Sequence, residues 1–145
     1  RNIGPMGLPL TKPPYRRITA IDLNTGEHVW QTAFGKGPAN HPLLEHLNLP
    51  DLGSVFTDVS AEGGILITEG LVISHLPQKD EVNEDADGSI LVAYDKLTGD
   101  KVGEVTVDRR LHGPVMSYLS GGKQYIAIAG GRFDTAEMIS FALPD

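Results

Sequence analysis

At 145 residues with 40 % hydrophobic residues, the chain suits one domain with a moderate core, and its composition is not that of a disordered chain. A net charge of −7 with no Lys/Arg-rich run excludes a nucleic-acid backbone as the expected partner, and no stretch approaches the roughly 18 consecutive apolar residues of a transmembrane segment. The absence of cysteine excludes disulfides and thiolate metal sites, and the opening Arg1-Asn2-Ile3 reads as a processed, excised or trimmed piece.

In chain order, the first element is a hairpin. Residues 19–30 read Thr-Ala-Ile-Asp-Leu-Asn-Thr-Gly-Glu-His-Val-Trp. An apolar strand runs into Asp22, whose short carboxylate suits the backbone N–H groups of a turn, and Gly26 supplies the positive φ that reverses the chain. A second strand follows over Glu27–Ala33, with Trp30 as a packing residue. The stretch 35–54 reads as a long loop in which only Pro42–Leu47 suggests a helical turn. There His41 and His46 share no helix face and fit no zinc pattern, and Gly35-Lys36-Gly37-Pro38 lacks the ending of a phosphate loop.

Next, Gly64–Ile67 turns through Thr68-Glu69-Gly70 into Leu71–Ser74. Asn83-Glu84-Asp85-Ala86-Asp87-Gly88 matches the first half of an EF-hand-type calcium loop, with Asn83, Asp85 and Asp87 as the candidate oxygen ligands. Tyr94 stands where the bidentate Glu should close such a loop, so a solvated acidic connection is the competing reading. Residues 92–103 then repeat the opening hairpin: Ala20, Asp22, Thr25 and Gly26 match Ala93, Asp95, Thr98 and Gly99. The second strand of this copy runs over Asp100–Val107, and the counterpart of Trp30 is Gly103.

Asp108-Arg109-Arg110-Leu111-His112-Gly113 leads into a further hairpin, Pro114–Leu119 turning through Ser120–Lys123 into Gln124–Ala129, and the last strand is Glu137–Leu143. Many short strands with glycine in every turn indicate a sandwich or a propeller, and the repeated signature selects the propeller. The expected fold is all-β, a partial β-propeller: a half blade at about 16–34, the loop 35–54, a full four-stranded antiparallel blade at about 64–107 and a closing blade at about 113–143. These blades are too few to close a ring. In such a ring the loop before an inner strand points to the central channel, which makes Arg110 and His112 candidates for an anionic cofactor or a substrate carboxylate; a charged surface turn is the alternative.

Three ordered stretches carry a family resemblance. Gly7-Leu8-Pro9-Leu10-Thr11-Lys12-Pro13-Pro14-Tyr15, followed by Ile18–Gln31, resembles the C-terminal region of PQQ-dependent (quinoprotein) dehydrogenases, above all the membrane-bound glucose dehydrogenases. Gly113-Pro114-Val115-Met116-Ser117-Tyr118 with Gly122–Ile126 and Gly130-Gly131 is similar to that family's last blade, and Phe141-Ala142-Leu143-Pro144 to its closing strand. The resemblance implies about two and a half blades of an eight-bladed quinoprotein propeller with PQQ and Ca²⁺ at its centre, most ligands for both lying outside this chain. It implies oxidation of an alcohol or sugar hydroxyl to a carbonyl, a periplasmic location, and a partner chain or self-association supplying the other blades. Trp30, Asp22, Gly26, Asp95 and Gly99 take structural roles, and the catalytic residue is not identified in this chain. Two departures favour the alternative of a non-catalytic scaffold that has lost the cofactor: Gly103 in place of the docking Trp, and Ser54–Glu62 in place of a glycine-rich run before an inner strand.

Overall fold

The two Asp-x-x-Thr-Gly segments fold into equivalent hairpins, as their shared chemistry demands. In the computed structural model, which describes residues 4–55, 64–78, 88–131 and 134–142, β1 (Arg17–Ile21) pairs antiparallel with β2 (His28–Ala33). At the turn Asp22 Oδ1 accepts the Asn24 N–H at 2.7 Å, the Gly26 N–H donates to the Asp22 carbonyl at 2.7 Å, and Gly26 takes φ 74°. The second copy reproduces this with Asp95 and Gly99, the latter at φ 77°. Register is reproduced too: Ala20 pairs with Trp30, Ala93 pairs with Gly103, and each hairpin slips register immediately afterwards. A Cβ on Gly103 would meet nothing within 4 Å, so the position that carries an indole in the first copy opens onto space in the second.

The chain divides into two compact units, residues 1–57 with 79–86, and residues 58–78 with 87–145. In the first unit, the segment after β2 is tied back on itself. Leu52, Gly53 and Ser54 donate their N–H groups to the carbonyls of Lys36, Gly35 and Phe34 at 2.9, 2.9 and 2.8 Å. Gly53 also abuts the residue before β1, so that a Cβ on it would collide with the Arg16 backbone. The loop also holds short 3₁₀ turns at Gly37–Asn40 and Glu45–Leu47. No described helix is long and apolar enough to cross a membrane.

The second unit holds two antiparallel sheets in sequence order. The first comprises β3 (Leu66–Ile67), β4 (Leu71–Pro77), β5 (Ser89–Asp95) and β6 (Lys101–Val107). The other comprises β7 (Leu111–Ser120), β8 (Lys123–Gly130) and β9 (Glu137–Ala142). Three antiparallel sheets of two, four and three strands fit the blades of a partial β-propeller. Strand ends differ from the sequence reading in places: β4 continues beyond Ser74 to Pro77, β3 shrinks to two residues, and β7 begins at Leu111 rather than Pro114.

The sheets of this unit pack face to face through Ile73, Leu91, Val107, Leu111, Val115 and Ile128, with Leu111 and Ile128 fully buried. The strand period of two sorts the rest. Ile126 opposite Phe141 and Ile128 opposite Ile139 line the core face of the closing sheet. Its other face carries Met116, Met138 and a stacked Tyr118–Tyr125 pair with ring centroids 5.1 Å apart, and the Tyr118 hydroxyl hydrogen-bonds Ser140 Oγ at 3.0 Å. Met116 and Met138 on this face are 48 % and 62 % exposed.

Candidate functional site

The first strands of the two sheets, β3 and β7, start at the same end of the unit, and there the β7–β8 ladder breaks. Leu111 pairs with Gly130 and His112 with Ala129, but pairing resumes only at Met116 opposite Ala127, so Gly113, Pro114 and Val115 together face Ile128. The residue types explain the bulge. Gly113 takes φ 72°, a conformation that L side chains resist, and Pro114 has no N–H to give to a ladder. Gly64, just before β3, sits so close to it that a Cβ there would come within 2.9 Å of Pro114 Cα.

Four hydrogen bonds pin the segment that leads into this bulge. The buried Ser89 Oγ accepts the Leu111 N–H at 2.9 Å. His75 Nε2 lies 3.0 Å from the Gly113 carbonyl, and His112 Nε2 lies 2.9 Å from the Gly131 carbonyl. The Gly131 N–H in turn donates to the Arg110 carbonyl at 2.9 Å. Since a carbonyl only accepts, both imidazoles carry their proton on Nε2. Outside the clamp, Arg109 pairs with Glu137 at 3.0 Å on an exposed surface, where such a pair contributes little.

His75 is the unusual member. It is 1 % exposed, beside the buried Ser74 in a strand whose other buried residues are Val72, Ile73 and Leu76, and its Nδ1 is buried without a hydrogen-bond partner among the described residues. Burial holds its pKa below the ordinary imidazole value; the bond to Gly113 opposes that shift, and the nearby His112 charge adds to it. The ring is therefore kept neutral, with Nε2 as donor and Nδ1 as an unused acceptor.

Of the residues singled out from sequence, Arg110 and His112 come together on one anchored segment, both half-buried, with His112 inside β7 rather than in the preceding loop. Asn83, Asp85 and Asp87 lie outside the described residues. Among the described residues no group of three or more His, Cys, Asp or Glu side chains is placed to hold a metal ion. His41 uses Nδ1 to accept the Leu43 N–H at 3.2 Å, which accounts for it locally, and His46 lies inside the 3₁₀ turn Glu45–Leu47. Sequence reasoning missed His75, Ser89 and Gly64. The available signal was the polar pair Ser74-His75 inside the apolar run Leu71–Leu76.

What the segment can do chemically is narrow. It carries Arg110 and His112 on a backbone that four hydrogen bonds and a glycine contact keep in place, with the His112 Nε2–H already given to Gly131.

Comparison with known proteins identifies the fold's relatives. The model of the family described as PQQ: Glucose/ethanol/alcohol dehydrogenase, beta-propeller domain, matches residues 1–126. A probable quinate dehydrogenase (quinone) of Xanthomonas campestris pv. juglandis is 28 % identical over 100 % of this chain and 18 % of its own length. Quinoprotein glucose dehydrogenase A of Acinetobacter calcoaceticus is 30 % identical over 99 % of the chain and 17 % of its own length. The large subunit of glycerol dehydrogenase from Gluconobacter oxydans is 31 % identical over 96 % of the chain and 18 % of its own length. The chain thus spans less than a fifth of the curated relatives it matches. With a family match over most of its length, the chain belongs to the PQQ family of glucose/ethanol/alcohol dehydrogenase β-propeller domains.

Proposed function

We propose that this chain forms the C-terminal blades, about two and a half in all, of a PQQ-dependent dehydrogenase that oxidises an alcohol or sugar hydroxyl to a carbonyl and needs further blades for activity. The observation that carries the reading is the family match over residues 1–126. The exposed Met116, Tyr118 and Met138 on the closing sheet support the need for further blades, because an apolar sheet face of this kind is ordinarily packed against a neighbour. Those blades lie outside these 145 residues, in further sequence of the same polypeptide, in a partner chain or in a second copy, and the assembly is periplasmic. A purified particle of one 145-residue chain would overturn this part of the reading.

The residues at the bulge fit an anionic quinone. Arg110 offers the planar donor fork that matches a carboxylate, and its backbone carbonyl is already fixed by Gly131, so the group is presented from a constrained position. His112, two residues along, gives its Nε2–H to the Gly131 carbonyl and so helps to fix the segment that carries Arg110. When bound, PQQ supplies the electron-accepting chemistry; this segment orients and holds it. Calcium finds no ligand cluster among the described residues, so its proposed ligands are Asn83, Asp85 and Asp87 together with groups beyond this chain. Calorimetric titration checks that assignment: no heat at millimolar calcium would end it.

Mixing the intact assembly with PQQ and Ca²⁺ tests the whole reading. Quinone absorbance in the protein fraction and dye reduction with alcohols or sugars are expected. No cofactor uptake would leave the second reading, a non-catalytic propeller scaffold, which the open space at Gly103 favours.

A further inference from the structure

We propose that His75 is the positioning residue for the cofactor-facing segment: its Nε2–H bond to the Gly113 carbonyl holds the β7 bulge and thereby sets the place of Arg110 and His112. The proposal rests on the reading of the chain as part of a PQQ-dependent dehydrogenase. Its physical basis is the mismatch between His75 and its surroundings.

An imidazole buried at 1 % exposure with Nδ1 unpartnered is a costly occupant of a strand that also buries Val72, Ile73 and Leu76. A leucine or methionine would fill the position without that cost. What neither could do is donate to Gly113, a residue 38 positions away that the bulge has taken out of the ladder register. The bond therefore ties β4 of one sheet to the break in β7 of the next. On the same segment, Ser89 holds the Leu111 N–H and Gly64 abuts Pro114, so the bulge is gripped on both sides of Gly113. Arg110 and His112 lie within three residues of the gripped carbonyl. A bulge re-aims the side chains beside it, and whatever fixes the bulge fixes their aim. His75 itself is enclosed and its donor is spent, so it acts through Gly113 and not by touching the cofactor.

The test uses the full-length protein with two substitutions. His75→Met keeps side-chain bulk without the donor; His75→Gln places an amide N–H near the position of Nε2. One readout needs no cofactor: hydrogen exchange of the peptide spanning residues 111–116 in the apoprotein. The other is the Kd for PQQ by absorbance titration. His75→Met is expected to speed exchange in that peptide and to raise the Kd, each by about tenfold, the ratio that loss of one ordinary hydrogen bond produces. His75→Gln should return both to within about threefold of the parent, as a retained donor implies. Should His75→Met fail to fold, His75→Asn, which keeps a polar side chain too short to reach the Gly113 carbonyl, should show the same two changes. Unchanged exchange overturns the proposal, and so does faster exchange with an unchanged Kd. A parent protein that takes up no PQQ sinks the dehydrogenase reading itself, a failure visible without any variant.

Discussion

Leu111 is the side chain on which the site and the core depend together, and Leu111→Ala measures that dependence. The residue is 0 % exposed and packs among Ile73, Leu91, Val107, Val115 and Ile128, from both sheets of the second unit. Truncation removes three buried carbons and leaves a void. The walls of that void are strands held in register by ladder hydrogen bonds, so they can close in only slightly. The cost should therefore reach at least about 2.7 kcal/mol, the lower end for buried Leu→Ala, and rise toward about 5 kcal/mol if nothing relaxes. Because the Leu111 N–H keeps its bond to Ser89, the loss reports packing and not hydrogen bonding. Hydrogen exchange at the β8 amides from Ala127 to Ala129 reads it locally, whatever the size of the surrounding assembly. A loss of about 2.7 kcal/mol appears as roughly hundredfold faster exchange there. Leu119→Ala, at a position 74 % exposed on the same strand, should change it less than about twofold. Equal effects from the two substitutions would refute the packing account of how the sheets are joined.

The two Asp turns offer an internal comparison: Asp95 Oδ1 accepts the N–H groups of both Leu97 and Thr98, at 2.8 and 3.0 Å, whereas Asp22 Oδ1 accepts that of Asn24. Asp95→Ala should cost about 1–2 kcal/mol and Asp22→Ala roughly half as much, read by exchange in each hairpin; the reverse order would count against this turn analysis. For pH, the folded pKa of His75 lies below its unfolded value, so the unfolded chain binds more protons in the acid range. The His75 contribution is then complete above the ordinary imidazole pKa of about 6.5 and is lost as pH falls from there to the depressed folded value. Thermal midpoints between pH 7.5 and 5 should fall more steeply for the parent than for His75→Gln, and parallel curves would refute the assignment. Arg110→Ala should weaken PQQ binding by about tenfold or more, as loss of a charge-assisted contact does, while Arg109→Ala, whose Glu137 partner is exposed, should leave it within about twofold.

The hairpins were legible because every group that makes them lies within a few residues. Asp22 reaches Asn24, Asp95 reaches Leu97 and Thr98, and Gly26 and Gly99 need only a positive φ that no other residue supplies as cheaply. The β7 bulge was half legible. Gly113 and Pro114 announce a break in the ladder, yet nothing local says whether the strand starts before or after it, which is why β7 begins earlier than expected. In the first unit, the tie between Leu52–Ser54 and Phe34–Lys36 was read only as loop, since its backbone bonds leave no side-chain pattern.

The sequence by itself determined the repeat and the all-β architecture, and singled out the segment carrying Arg110 and His112 as a candidate, because turn chemistry and a strand period of two are written residue by residue. Only the tertiary structure decided what holds that segment. His75 and Gly113 stand 38 residues apart, and Ser89 and Leu111 stand 22 apart. Whether such pairs meet depends on the registers of two sheets and on how those sheets stack, and a single side chain that donates to a distant backbone carbonyl leaves no periodic trace in the chain that encodes it.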